Sequence, residues 1–268
     1  MLLDINANVG HWPFMQRRYI TCDALLGRMN EFGVDISVIS NIHGIFYKNT
    51  QSANEELYDE INSDRRFRDR FIPFAVLNPI YAGWKDDLKT CVNKMGMKGV
   101  RLYPKYHDYE MTDPSLAECV KRVRDHGLPV AFTIRMVDSR IRSWMDVDYV
   151  RKTPKPEWAV KDVVPIIRAV PDAKYLILNV ANGILVRDED LELLKRADIL
   201  FDTSGRQVNS LPDLLNSYGR EKFSFGTHSP FLDYLTGMLR IESLRDDEAD
   251  EATKELLRSG NAKRMLGI

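Results

Sequence analysis

The sequence predicts a single (β/α)8 barrel over residues 1–268. Short apolar, β-rich runs alternate with amphipathic segments from one end of the chain to the other. Eight such pairs can be read, and at 268 residues an α/β barrel commonly forms one domain. No linker or low-complexity stretch divides them. A doubly wound open sheet is the competing architecture. It usually carries a Gly-rich phosphate loop after an early strand, and Val9-Gly10-His11 is not one.

The elements follow in order. Asp4-Ile5-Asn6-Ala7-Asn8-Val9-Gly10 is the end of the first strand, closed by a Gly turn. Thr21-Cys22-Asp23 opens a helix with Ala24, Leu25, Met29 and Phe32 at helical spacing, and Gly33 ends it. Asp35 to Ser40 is a strand, Asn54 to Ile61 a helix, and Phe71 to Leu77 a third strand in which Pro73 marks a start or a bulge. A helix from Trp84 to Met95 stops at Gly96, and strand four, Gly99 to Tyr103, is closed by Pro104. Leu116 to Val123 is helical with His126-Gly127 as its stop, and Pro129 to Ile134 is strand five. Arg135 to Pro156 reads as a loop or lid. Helices then follow at 160–170, 188–197 and 211–218, and strands at 175–179, 199–202 and 223–226. The tail after Phe231 reads as helical to the end.

Composition narrows the class. Hydrophobic residues make up 44% of the chain, enough for a substantial core, and the net charge of −1 offers no basic footprint for nucleic acid or a membrane surface. Cys22, Cys91 and Cys119 fall in helical stretches and form no CxxC pair, as buried thiols of a reducing compartment do. Met1-Leu2-Leu3-Asp4 has no basic n-region and runs straight into a strand. No apolar run approaches the ~20 residues of a membrane span. A cytoplasmic protein is expected, with neither nucleic acid nor membrane as partner.

In such barrels the chemistry collects at the carboxyl ends of the strands. The residues there are Asn6 and Asn8; Asn41 and His43; Asn78; Arg101, Tyr103 and Lys105; Thr133 and Arg135; Asn179 and Asn182; Asp202, Ser204 and Arg206; Thr227 and His228. Side chains two apart on a strand share a face, so Asn6 and Asn8 point together, and simple alternation brings Asp4 with them. His228, between Gly226-Thr227 and Ser229-Pro230, is the titratable group suited to general acid or base work, or else to holding its turn. Arg101 and Arg135, on neighbouring strands, suit a carboxylate or phosphate, or an internal pairing with Asp4, Asp138 or Asp202. Trp12, Phe14 and Trp144 lie in loops, where they line a pocket or simply pack.

These motifs, in their order along the whole chain, resemble the amidohydrolase superfamily, in the branch of amino-carboxymuconate-semialdehyde decarboxylase-like enzymes, aromatic-acid decarboxylases and lactone hydrolases. Asp4 to Gly10 stands where that branch has D-x-H-x-H-x-G. Gly96 to Leu102 is similar to its G-x-K-G-V-R-L, Leu128 to Thr133 to its L-P-V-x-x-H, and Pro171 to Asn179 to its sixth strand. Phe225 to Phe231 resembles F-G-S-D-x-P-F, and Gly260 to Gly267 the closing N-A-x-R-L-x-G. The resemblance implies a barrel of the metal-dependent-hydrolase type. It also implies that Asn6, Asn8, Thr133, Asn179 and His228 stand where the family places the ligands of a divalent metal, usually Zn²⁺. Zn²⁺ takes Cys, His or Asp/Glu, not neutral amides and hydroxyls. Small polar replacements point to an open, hydrated pocket.

The expected function is a hydrolase or decarboxylase-type lyase that works without the family metal, or any other cofactor, on a small anionic carboxylate. His228 and Arg101 are the catalytic candidates. Asn6, Asn8, Tyr103, Thr133, Arg135 and Asn179 are the substrate-binding candidates, with the amides donating to a carbonyl or oxyanion. A non-catalytic relative binding a small carboxylate or sugar acid is the alternative. A third reading holds a metal through His43, His107 or His228 with Asp202. Barrels of this kind are commonly dimeric, and a homodimer is expected.

Overall fold

The computed structural model describes residues 1–133, 136, 159–179, 184, 186–205 and 211–268. Arg135, Asp138, Trp144, Asn182 and Arg206, and the loop read at 135–156 apart from Met136, lie outside the described residues.

The strands are β1 (Leu3–Val9), β2 (Ile36–Asn41), β3 (Phe71–Pro73), β4 (Ala75–Val76), β5 (Val100–Leu102), β6 (Pro129–Thr133), β7 (Lys174–Leu178), β8 (Asp198–Asp202) and β9 (Phe223–Ser224). They run in chain order, β1-β2-β3 and β4 through β9, and every pairing is parallel. β3 and β4 are the two halves of the third expected strand. Pro73 offers no N–H to a ladder, so β3 pairs with β2 and the chain changes partner at Phe74. Phe74 N donates to Ile39 O at 2.9 Å, and Ala75 N to Gly99 O at 2.9 Å. Gly99 is needed beside this switch, because a Cβ there would run into the Phe74 ring.

The last strand returns to the first. Ile5 N donates to Phe225 O at 3.0 Å, Asn8 N to Ser229 O at 2.8 Å, and His228 N to Asn6 O at 2.6 Å. The barrel is therefore the architecture that the alternation predicts. Inside it, Leu3, Ile5, Val38, Phe74, Ala131, Leu176, Leu178 and Leu200 form one apolar layer with Ala262 and Met265 of the C-terminal helix. The neighbouring strand residues, such as Ala7, Val9, Val100, Leu102, Val130 and Phe132, join the larger core with the outer helices. The three cysteines are free and buried, and burial pushes the Cys91 and Cys119 thiols up to about 12.

Two expectations change. β1 is irregular between Asp4 and Ala7. This bulge reverses the alternation, so that Asn6 and Asn8 follow Leu3 and Ile5 to the inside while Asp4 turns to Thr227. The tail is also not one helical run: helices at Tyr234–Glu242 and Glu251–Glu255 are separate, and Asp233 and Asp250 cap their N-termini by accepting from Leu235 N at 2.8 Å and Thr253 N at 2.9 Å. No helix among the described residues is long and apolar enough to cross a membrane.

Asp4 latches the bulge to the eighth repeat. Its carboxylate accepts from Asn6 N at 2.9 Å, Thr227 N at 3.0 Å and Thr227 Oγ1 at 2.6 Å. Burial nevertheless pushes its pKa up to about 6 from 3.8. A raised folded pKa means that the folded chain binds the proton more tightly than the unfolded one. This contribution is complete below the unfolded value and is lost as pH rises through the folded one, about 2–3 kcal/mol in all. Asp4→Asn, an uncharged isostere whose amide can donate to Thr227 Oγ1, is expected to be more stable than wild type near pH 8, with a flatter stability profile across the acid window. Urea titrations at a series of pH values check this; equal destabilisation at all of them contradicts it.

Candidate functional site at the centre of the barrel

β5 contributes three residues, and its flanking Val100 and Leu102 face the outer core. Arg101 between them therefore points inward. It is 1% exposed. Its Nε donates to Thr133 Oγ1 at 2.8 Å, and Nη1 donates to Ala7 O at 2.9 Å and Asn8 Oδ1 at 2.8 Å. Nη2 donates to Asn6 Oδ1. A guanidinium carries five N–H donors; four are engaged, and one hydrogen on Nη2 has no partner among the described residues.

The network continues through Asn6 to a buried carboxylate. Asn6 Nδ2 donates to Asp202 Oδ2 at 2.7 Å, Ser204 Oγ donates to the same oxygen, and Asn179 N donates to Asp202 Oδ1 at 2.7 Å. Burial raises the pKa of Asp202, against the pull of Ser204, Asn6, Asn179 and the charge of Arg240. Arg240, on the helix Tyr234–Glu242, is itself 3% exposed and donates to Thr203 O at 3.0 Å. Asp202 therefore sits between two buried cations, touching one through an amide.

His228 holds a left-handed backbone conformation with φ 56°. Its Nε2 lies 2.7 Å from Met136 O, a carbonyl that can only accept, so Nε2 carries a proton. Nδ1 lies 3.4 Å from Asn6 Oδ1. Tyr103 Oη is 3.5 Å from Asn8 Oδ1, and burial raises its phenol pKa.

The structure thus brings together Asn6, Asn8, Arg101, Tyr103, Thr133, Asn179 and His228. Most of them are closed off from solvent, Asn179 being half-buried. Asn6, Asn8, Tyr103, Thr133 and His228 are 0% exposed. Above them Trp12, Ile42, Ile45, Val76, Tyr103, Met136 and Phe231 pack as one apolar cluster, with the Trp12 and Phe231 rings edge to face at 5.0 Å. The hydrated pocket expected from small polar residues is occupied by the Arg101 side chain, and the guanidinium fork reserved for a substrate carboxylate is engaged inside the protein. An accessible cavity of ≈ 390 Å³ lies to one side, on the loops after β2, β4 and β5, where His107, Tyr81 and Tyr106 line it.

The donor set does not fit a divalent metal. The acceptor oxygens of Asn6, Asn8 and Thr133 are neutral, and each takes a hydrogen from Arg101. Of the histidines in the third reading, His43 is engaged at both ring nitrogens and His107 at Nε2, while the buried His107 Nδ1 has no hydrogen-bond partner among the described residues. His43 Nδ1 is 2.7 Å from Glu56 Oε2, its Nε2 accepts from His11 N at 3.0 Å, and His107 Nε2 is 2.9 Å from Gly44 O. Among the described residues no group of three or more His, Cys, Asp or Glu is placed to hold an ion. Sequence reasoning missed Arg240, which sits in an amphipathic helix with no motif around it, and the part Ala7 plays through its backbone carbonyl.

The amidohydrolase family model matches residues 9–268. Several solved structures share the fold. A 2,6-dihydroxybenzoate decarboxylase from Rhizobium is similar at 16% identity, over 99% of this chain and 98% of that one, with a TM-score of 0.69. A 5-carboxyvanillate decarboxylase from Sphingomonas paucimobilis shares 14% identity over 100% and 99%, at 0.70. Another from Novosphingobium aromaticivorans, solved with bound manganese, shares 10% over 100% and 97%, at 0.74. No curated protein matches the sequence.

Thr133→Val removes the acceptor of Arg101 Nε and keeps the side-chain shape. Leaving that buried charged donor unpaired is expected to cost about 1–3 kcal/mol, read as a lower urea midpoint at constant m-value. An unchanged midpoint would show that the Nε bond contributes nothing. Protein purified without chelator or an affinity tag is expected to hold far less than one Zn²⁺ or Mn²⁺ per chain by elemental analysis.

Proposed function

The chain belongs to the amidohydrolase family, and from that premise we propose that it acts, without the family's metal, as a decarboxylase-type lyase on a small aromatic carboxylate. The observation that carries this reading is the permanent charge of Arg101, held at the centre of the barrel with one Nη2 hydrogen uncommitted among the described residues. The decarboxylases of similar fold point to the substrate class. Access requires the Trp12–Phe231 contact to open toward the mouth. Closing over the ligand then leaves a carboxylate in a dry site beside a guanidinium.

The chain's own residues supply the rest. Arg101 orients the carboxylate through its remaining Nη2 hydrogen, with Asn8, Tyr103, Asn179 and Arg135 assigned to the ring and its substituents. His228, protonated on both nitrogens, delivers a proton to the ring carbon that bears the carboxylate. The bond to the carboxyl carbon then breaks, its electron pair restores the aromatic ring, and CO2 leaves. Excluding water favours this step, because charge on the carboxylate is lost as the neutral gas forms. Solvent returns the proton to His228 when the cover opens.

A second reading, a non-catalytic binder of a small carboxylate, draws on the full burial of the site and the internal use of its donors. The two are separated by incubating the purified protein with hydroxybenzoates, 2,6-dihydroxybenzoate among them, and measuring CO2. Turnover that survives a chelator is expected, with His228→Asn reducing it by about 10²–10⁴-fold. A rise in melting temperature with no product favours the binder. Activity lost to the chelator and restored by Mn²⁺ overturns the metal-free mechanism.

A further inference from the structure

We propose that the centre of this barrel is a guanidinium-binding site that the chain fills with its own Arg101, so that an organic cation stands where the family's ligand positions hold a metal. Four acceptors surround the group. Thr133 Oγ1 receives Nε, Ala7 O and Asn8 Oδ1 receive the two hydrogens of Nη1, and Asn6 Oδ1 receives Nη2. They come from β1 and β6 and reach a side chain on β5. Three of the four belong to residues at ligand positions of the family motifs, Asn6, Asn8 and Thr133.

The two kinds of cation ask for different surroundings. Zn²⁺ needs charged or imidazole lone pairs converging on one point at about 2.0–2.3 Å. A guanidinium is a flat fan of donors that needs oxygens spread round its plane at about 2.8 Å. Amide and hydroxyl oxygens serve the second and poorly serve the first. The His-to-Asn and His-to-Thr replacements are in this light a change of cation rather than a loss of one. A carboxyl group is also close: Asp202 is reached through Asn6, whose Oδ1 takes the Arg101 hydrogen and whose Nδ2 gives one to Asp202 Oδ2 at 2.7 Å. A lysine at 101 would bring the charge without the fan. This site is independent of whether the protein turns over a substrate.

The experiment removes the side chain and supplies the cation from solution. Arg101→Ala is expected to melt roughly 10 °C below wild type. Millimolar ethylguanidinium is expected to recover part of that shift saturably while leaving wild type unmoved, and ethylammonium, Zn²⁺ and Mn²⁺ are expected to recover none. Arg101→Lys should melt well below wild type. If Arg101→Ala does not fold on expression, the yield on refolding from urea with and without ethylguanidinium gives the same readout. Rescue by Zn²⁺ or Mn²⁺, equal rescue by ethylammonium, a wild-type melting point for either variant, or no rescue by ethylguanidinium each overturns the proposal. Because the readout is stability, it stands or falls separately from the CO2 assay.

Discussion

A guanidinium taken out of water and buried at 1% exposure is the constraint from which the rest of the barrel centre follows. Its desolvation costs several kcal/mol, which only close hydrogen bonds and a nearby opposite charge can offset. Each neighbour answers one part of that cost. Thr133, Asn8, Asn6 and the Ala7 carbonyl satisfy donors. Asp202 lies one amide away, and Ser204, Asn6, Asn179 and Arg240 pull its pKa down against the burial that raises it. The set is coupled, so removing one member leaves another buried group unsatisfied.

Placing those groups depends on backbone devices at the seam of the barrel. The β1 bulge turns Asn6 and Asn8 inward, and Asp4 fixes the bulge by accepting from Asn6 N while binding Thr227 across the seam. Gly226 is required beside Asp202, since a Cβ there would lie 2.7 Å from the Asp202 Cβ. The helix that carries Arg240 comes close at Gly237, where a Cβ would collide with Gly226. Close approach of that helix lets a long cationic side chain reach the strand ends from outside the barrel.

The strands were legible because each is an apolar run bounded by turn residues, and Pro73 marked the place where the third one breaks. Motif spacing singled out Asn6, Asn8 and Thr133, and these three meet at Arg101. The direction of Asp4 was not legible, since a bulge adds a residue without any change in residue type. Nor was the full burial of Asn6, Asn8, Thr133 and His228. Arg101 reads equally well as a substrate clamp and as an internal cross-link, and the choice depends on where Asn6, Asn8 and Thr133 lie in space, residues distant in sequence from it. Arg240 carries no local signal at all, because its partner Thr203 is a backbone carbonyl.

A buried, closely hydrogen-bonded network is usually a reason to assign a structural role, but under the proposed function the same features bear on chemistry. A charge fixed in a low-dielectric interior acts more strongly on a neighbouring group than one in water, and it needs no reorganisation when a ligand arrives. What such a site requires besides the charge is an entrance and a proton. Among the described residues the cover is an aromatic cluster, Trp12 against Phe231, Phe46 and Tyr106, with the Arg17 guanidinium over the Phe231 ring and Met136 O bonded to His228 Nε2. Apolar packing of this kind separates without stranding polar groups, whereas breaking the Arg101 network would strand several. Opening is therefore cheapest at the cover. In the proposed reading a ligand entering there exchanges the His228 Nε2–Met136 O bond for its own, and the four Arg101 bonds at the barrel centre stay in place.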